Sequence, residues 1–326
     1  MKVTFIHRAK SFGGFSFEEL FATIQKQLTK CNCENFYDKT YPRFFKNIKA
    51  VKQLKSDVYH LTGGLGYYTL FLPSKRTLLT IHDTNHYEHD LKGLKKWVFG
   101  WLFYRLAYRN TYCLTTVSEH TRSRLIQLFG FDKNNIRVIP NCYPNDFKVN
   151  LKESLNETTK ILQIGTKTNK NIHRLIDALK GMDVELTIIG KLSAELTFKL
   201  NENKISYLNK TNLSHDEIYK EYVNCDLVSF ISLYEGFGLP IIEANSVGRA
   251  VITSSVSSMP EVAGTAAHLI NPYDVSDIKN GLIKLIKDHN YRNELISNGF
   301  ENIKKYQPQL IAQQYEELYQ KIASRT

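Results

Sequence analysis

Cysteine is scarce in this 326-residue chain. Cys31, Cys33, Cys113, Cys142 and Cys225 are odd in number and scattered, with no CxxC pair and no disulfide-like spacing. That excludes a disulfide framework or a thiolate zinc finger and fits a reducing cytoplasm. No apolar run approaches the ~18 residues that a membrane span needs, so a soluble or peripheral protein is expected. Met1 leads straight into the apolar Lys2-Val-Thr-Phe-Ile-His7, which reads as a first strand and not as a signal peptide. Internal repeats and low-complexity tracts are also missing. Acidic residues are few in the first half: residues 1–150 carry 23 Lys and Arg against 11 Asp and Glu, whereas residues 151–326 carry 20 against 21. A basic first half suits an anionic neighbour, such as a membrane leaflet or a phosphate-bearing acceptor. Nucleic acid would answer the same charge, but no nucleic-acid motif accompanies it and no such partner is expected.

The length allows two α/β domains, because a single core stops growing near ~250 to 300 residues. Within it, one pattern recurs: an apolar run, then glycines, then a helical stretch. Its strongest instance follows the strand-like Asp226 to Ile231, passes through Glu235-Gly-Phe-Gly-Leu-Pro240, and continues into an apolar segment that Pro240 can open as a helix. A loop at the carboxyl end of a parallel strand, leading into a helix N-terminus, suits an anion such as phosphate. Glu235 and Glu243 frame this loop. Carboxylates do not hold phosphate, so their expected partners are hydroxyls, and a ligand with both chemistries is a sugar nucleotide.

Residue by residue, this stretch resembles the EGFGLP plus E-x7-E signature of family 4 glycosyltransferases, which are retaining enzymes of the GT-B fold. The resemblance implies two Rossmann-like doubly wound parallel-sheet domains facing across a cleft, with no metal and no cofactor beyond the nucleotide-sugar substrate. It assigns Glu235 to the donor sugar, Glu243 to the ribose, and the backbone of Gly236, Phe237, Gly238 and Leu239 to the sugar or diphosphate. Gly13 and Gly14, in the turn after the first strand, resemble the glycine pair beside the diphosphate and acceptor. In Lys160-Ile-Leu-Gln-Ile-Gly165-Thr166, the family commonly has Arg after the glycine and Lys shortly afterwards. Lys170 fits the second position. Thr166 occupies the first, so either Lys167 substitutes or one charge is absent. Leu208, at the exit of a short strand, lies where the base is held.

His82 closes the strand Arg76 to Asp83, and the resemblance places it by the donor sugar. Without the family, His82, His86 and His89 with Asp83, Glu88 and Asp90 could form a metal cluster, although the segment reads as a polar loop. Leu91 to Asn110 reads as one helix with both tryptophans and a basic flank. It is written either as an interfacial helix or as a core helix with a solvated basic edge. Ile136-Arg-Val-Ile-Pro-Asn141 resembles the family's exit from the first domain. The expected division is an acceptor-side domain over 1–148, a nucleotide-sugar domain over 157–305, and a tail helix over 306–326 crossing back to the first. The implied activity is transfer of a hexose from a UDP- or GDP-linked donor to a glycan, lipid-linked or other hydroxyl acceptor, as in polysaccharide biosynthesis. An epimerase or phosphorylase of the same fold, or a non-catalytic binding module, would share these motifs.

Overall fold

The computed structural model describes residues 1–8, 16–38 and 44–325. The chain divides into two compact units, Met1–Cys142 with Gln307–Thr326, and Tyr143–Tyr306. Each is built on its own six-stranded parallel sheet.

The first sheet contains β1 (Lys2–His7), β2 (Asn32–Tyr37), β3 (Val58–Leu61), β4 (Thr77–Ile81), β5 (Cys113–Thr116) and β6 (Ile136–Val138), in the order β2-β1-β3-β4-β5-β6. Its helices are α1 (Ser16–Gln25), α2 (Phe44–Gln53), α3 (Gly93–Phe99), α4 (Leu106–Arg109) and α5 (Glu119–Phe129). Strands β3 and β4 are buried along their whole length, as continuous apolar and Thr runs must be when both faces of a parallel sheet are covered. Ser118 caps α5 by accepting from the Thr121 amide, and Gly130 ends that helix in the left-handed conformation.

The second sheet contains β7 (Thr159–Ile164), β8 (Val184–Ile189), β9 (Ser206–Lys210), β10 (Leu227–Phe230), β11 (Ala250–Ser254) and β12 (His268–Ile270), in the order β12-β11-β10-β7-β8-β9. Its helices are α6 (Ile172–Leu179), α7 (Ala194–Glu202), α8 (His215–Asn224), α9 (Leu239–Val247), α10 (Met259–Ala263), α11 (Val275–Lys287) and α12 (His289–Asn302). The chain winds outward from β7 through β8 to β9, then returns to lay β10 on the other side of β7. That reversal leaves a crevice at the carboxyl ends of β7 and β10, the position at which open α/β sheets bind ligands. Buried Arg249 ties the segment after Tyr143 to this unit, donating to the carbonyls of Asn150 (2.5 Å), Val223 (2.7 Å) and Cys225 (2.9 Å). The last helix, α13 (Pro308–Ala323), packs Ile311, Tyr315 and Tyr319 into the core of the first unit. Its Glu316 Oε1 accepts from the amides of Thr29 and Lys30 at 2.5 and 2.6 Å.

Several local expectations are corrected. The helix expected over 91–110 runs from Gly93 to Arg109, with a π-helical turn at Gly100–Arg105 between α3 and α4. Gly100 sits where a Cβ would come within 2.8 Å of the Tyr87 ring, so the chain can press close to its neighbour there only without a side chain. Residues His86–Asp90, read as a polar loop, form a second π-helical turn. Strands β2 and β9 are largely exposed edge strands whose burial pattern gives little hydrophobic signal.

Candidate active site

The loops leaving β7 and β10 carry most of the residues singled out from the sequence. Gly165 follows β7 with φ +86°, and a Cβ on it would come within 2.9 Å of Lys170 Cε. Glycine is required here on two counts: the left-handed backbone and the passage of the lysine stem over it. Thr168–Lys170 form a short 3-10 turn. Asn171 then adopts φ 60°, and its side-chain amide donates to the carbonyls of Ile231 (3.2 Å) and Pro272 (2.7 Å). With the Leu233 amide donating to Asn169 O at 2.8 Å, the two loops are sewn together.

On the second loop, Gly238 has φ +121° and immediately precedes α9, with Pro240 in the first turn. Glu235 turns its carboxylate toward the first loop. Its Oε1 accepts from Lys170 Nζ at 2.7 Å and from Asn169 Nδ2 at 3.1 Å. The Lys170 ammonium also lies 4.7 Å from the Phe230 ring centroid, a cation–π contact. The side chains of Lys170 and Glu235 are only 18% and 17% exposed, so this pair is far less screened than a surface salt bridge.

The turn after β11 fixes the Glu235 backbone. Ser257 Oγ accepts from the Glu235 amide (3.1 Å) and donates to its carbonyl (2.7 Å), while Ser258 Oγ donates to Phe237 O at 2.7 Å. Ser257 does so with φ 60°, a conformation rarely adopted by residues other than glycine and Asn. One turn into α9, Glu243 Oε2 accepts from Tyr222 OH at 2.6 Å. Burial and then the Glu243 charge hold the Tyr222 phenol well above its usual pKa, so the phenol remains a donor.

Gly165, Lys170, Glu235, Gly236 to Leu239 and Glu243 are therefore brought to one end of the second sheet. Thr166 is there too, but its hydroxyl donates to Lys191 O at 2.8 Å, joining the ends of β7 and β8. Lys167 beside it is exposed. Leu208 does not open the loop after β9. It pairs with Thr187 inside that strand, which continues to Lys210, and its side chain is exposed.

His82 belongs to the first unit and is buried. Its ring packs where a Gly63 Cβ would be 3.0 Å away, and its Nε2 donates to Thr62 O at 2.7 Å. Burial, partly offset by that hydrogen bond, lowers its pKa to about 4, so the ring is neutral at pH 7. Gly13 and Gly14 lie outside the described residues. Among the described residues no group of three His, Cys, Asp or Glu is placed to hold a metal ion. His86 of the alternative cluster instead donates through Nδ1 to Asp90 at 2.9 Å.

Residues 3–147 match the family model described as Glycosyltransferase Family 4, and residues 146–302 match the one described as Glycosyl transferases group 1. The chain is a family 4 glycosyltransferase. The transferase is 28% identical over 288 residues to the O-antigen chain mannosyltransferase B of Escherichia coli, covering 79% of this chain and 72% of that one. It is 26% identical over 227 residues to the MMP alpha-(1->4)-mannosyltransferase of Mycolicibacterium hassiacum, covering 65% and 54%. Among solved structures, it superposes on Anabaena Alr3699/HepE in complex with UDP and glucose with a TM-score of 0.81 at 16% identity, over 98% of this chain and 100% of that one. Sucrose-phosphate synthase from Thermosynechococcus elongatus gives 0.80 at 16% identity over the whole of both chains. The transferase has the GT-B fold of these neighbours.

Four residues that sequence reading passed over hold the candidate site's loops and side chains: Asn169, Tyr222, Ser257 and Ser258. Asn169, next to Lys170, had a positional signal. The other three reach the loop only through tertiary packing.

Proposed function

We propose that this transferase moves a hexose, with mannose the favoured candidate, from a UDP- or GDP-linked donor to a hydroxyl of a glycan or lipid-linked acceptor, without a metal ion. In this reading the second unit holds the donor and the first faces the acceptor. Mannose is favoured by the names of two relatives, both mannosyltransferases. The observation that carries the proposal is the partly buried Lys170–Glu235 pair beside the start of α9.

The chemistry follows from charge. As the bond from the anomeric carbon to the diphosphate oxygen breaks, negative charge builds on the leaving group. Preorganised donors that meet that charge lower the barrier. Lys170, swinging from Glu235, and the backbone of residues 236–239 at the positive end of α9 are suited to this. Glu235, once released, accepts hydrogen bonds from the sugar hydroxyls, and Glu243, held by Tyr222, accepts from the ribose. Gly13 and Gly14 are assigned to the diphosphate side, Thr166 to the wall of the pocket, the loop after Lys210, where β9 ends, to the base side, and neutral His82 to the first unit's contact with the sugar. The acceptor oxygen bonds the anomeric carbon on the face that the diphosphate leaves, and its proton passes to the departing phosphate oxygen. A two-carboxylate hydrolysis scheme fits poorly, because Glu235 is engaged by Lys170 and Glu243 by Tyr222.

A thermal-shift panel of UDP- and GDP-hexoses identifies the donor, since a ligand that binds only the folded state raises the melting temperature. Product analysis with and without a glycan acceptor, with the anomeric configuration read by NMR, then tests transfer. An α-linked product from an α-linked donor, formed only with acceptor, is expected. Epimerised donor, or phosphorolysis of a glycan, would contradict the proposal.

A further inference from the structure

The stretch from α3 into the following π-helical turn has two apolar faces, and only one belongs to the core. Phe99 stacks on Phe103 with ring centroids 4.2 Å apart, and Tyr104 stacks on Phe129 at 4.8 Å. Buried Gly100, Tyr104 and Ala107 complete this inward face. The other side presents Leu94 (76% exposed), Trp97 (66%), Val98 (44%) and Trp101 (46%). Their spacing of i, i+3, i+4 and i+7 is that of a single helical stripe, so four large apolar side chains line up on the outside of the unit. α3 has no buried residue at all. Core packing therefore cannot explain this stripe.

We propose that this face docks the protein on an anionic lipid bilayer. Charge selects the occupant. Exposed Lys92 and Lys95 flank the stripe, Arg105 and Arg109 follow it on the same stretch, and all four are exposed. They belong to a half of the chain with 23 basic against 11 acidic residues. The neighbouring acid Asp90 is engaged by His86. Apolar residues with two tryptophans, bordered by lysine and arginine, form the pattern of a helix lying in the plane of a membrane interface, with its apolar face at the headgroup–acyl boundary. No helix among the described residues is long and apolar enough to cross a membrane, so the contact is peripheral. This surface is independent of which sugar the enzyme transfers.

The chain contains only two tryptophans, and both are on this stripe, so intrinsic tryptophan emission reports on this face alone. Emission spectra and co-sedimentation are measured with vesicles of phosphatidylcholine and with vesicles also containing phosphatidylglycerol. The expected result is a blue shift and pelleting with the anionic vesicles only, both weakening as salt rises. The double variant Lys92→Gln/Lys95→Gln should lower partitioning roughly 25-fold, since each lysine near an anionic surface contributes about a factor of five. Leu94→Ser/Val98→Ser should also weaken binding while leaving the melting temperature near wild type, because both side chains are exposed. Unchanged emission with anionic vesicles would overturn the proposal, as would equal binding to neutral vesicles. A lipid-free blue shift that grows with protein concentration, accompanied by dimer in sedimentation velocity, would overturn it in favour of a second copy of the chain.

Discussion

Lys170 Nζ and Glu235 Oε1 meet at 2.7 Å across 65 residues of sequence. Each comes from the loop at the end of one of two adjacent strands, and each is held there by neighbours other than its partner: Lys170 by Gly165 and Phe230, Glu235 by Ser257 and Asn169. A cation stored on a carboxylate is available to a diphosphate without first being stripped of bulk water.

If that stored charge serves the leaving group, Lys170→Ala should lower kcat by roughly 100-fold or more, as the loss of a transition-state hydrogen-bond donor does. Removing the lysine also leaves Glu235 without its charged partner, at a cost of roughly 1–3 kcal/mol in stability. Steady-state kinetics beside a urea melt separates the two effects. A variant that is less stable but turns over normally would take Lys170 out of the chemistry.

Gly165 and Gly181 make a controlled pair. Both have left-handed φ, +86° and +75°, but a Cβ on Gly165 would strike Lys170 whereas one on Gly181 meets nothing within 4 Å. Alanine at either should cost about 1–2 kcal/mol for the backbone. Only Gly165→Ala should also depress turnover, because it displaces the lysine. Equal activity in the two variants would show that the position of Lys170 over Gly165 does not matter.

Tyr222→Phe removes the hydroxyl donor from Glu243 Oε2 without changing the ring that fills the core. Affinity for the nucleoside diphosphate should fall roughly tenfold, in line with a hydrogen bond to a charged group, while kcat changes little. Calorimetric titration with UDP and GDP measures it. Unaltered affinity would count against the ribose contact proposed for Glu243.

The pH dependence follows from His82, whose pKa is lowered to about 4 in the fold against 6.5 in a model peptide. Between those values the unfolded chain binds the proton first, so stability is complete above pH 6.5 and falls as pH drops toward 4. Burial also lowers His60, well below its usual range, and His7, and both add to the same loss on the acid side. Melting temperature should therefore decline from pH 7 to pH 5, and the decline should be shallower in His82→Gln. The His82 imidazole carbon resonance should not titrate between pH 8 and 6; an inflection near 6.5 would contradict a neutral buried ring.

Much of this site was legible in the sequence because its strongest signals are local. Gly238 needs its positive φ, Pro240 sits in the first helical turn, and Glu235 and Glu243 are spaced to lie either side of the loop. Gly165 and Lys170 were legible as neighbours in the chain, though not as a stem packed over a glycine. Ser257 was invisible: a serine at φ 60° that holds the Glu235 backbone has no pattern of its own. Nothing in the sequence around Tyr222 marks its hydroxyl as the partner of Glu243, 21 residues on. The segment 91–110 was legible as a helix, but its π-helical turn was not: Gly100 lies where a Cβ would meet the Tyr87 ring, a contact that periodicity does not register. The exit of β9 was read at Leu208 and lies at Lys210, because β9 is an exposed edge strand whose end lacks the apolar run that marks a buried one.

The most direct test is a crystal structure with the nucleoside diphosphate of the preferred donor bound. The account predicts the diphosphate against the backbone of residues 236–239, with Lys170 Nζ moved from Glu235 to a phosphate oxygen and Glu243 on the ribose. A nucleotide bound elsewhere, with the Lys170–Glu235 pair still closed, would contradict it.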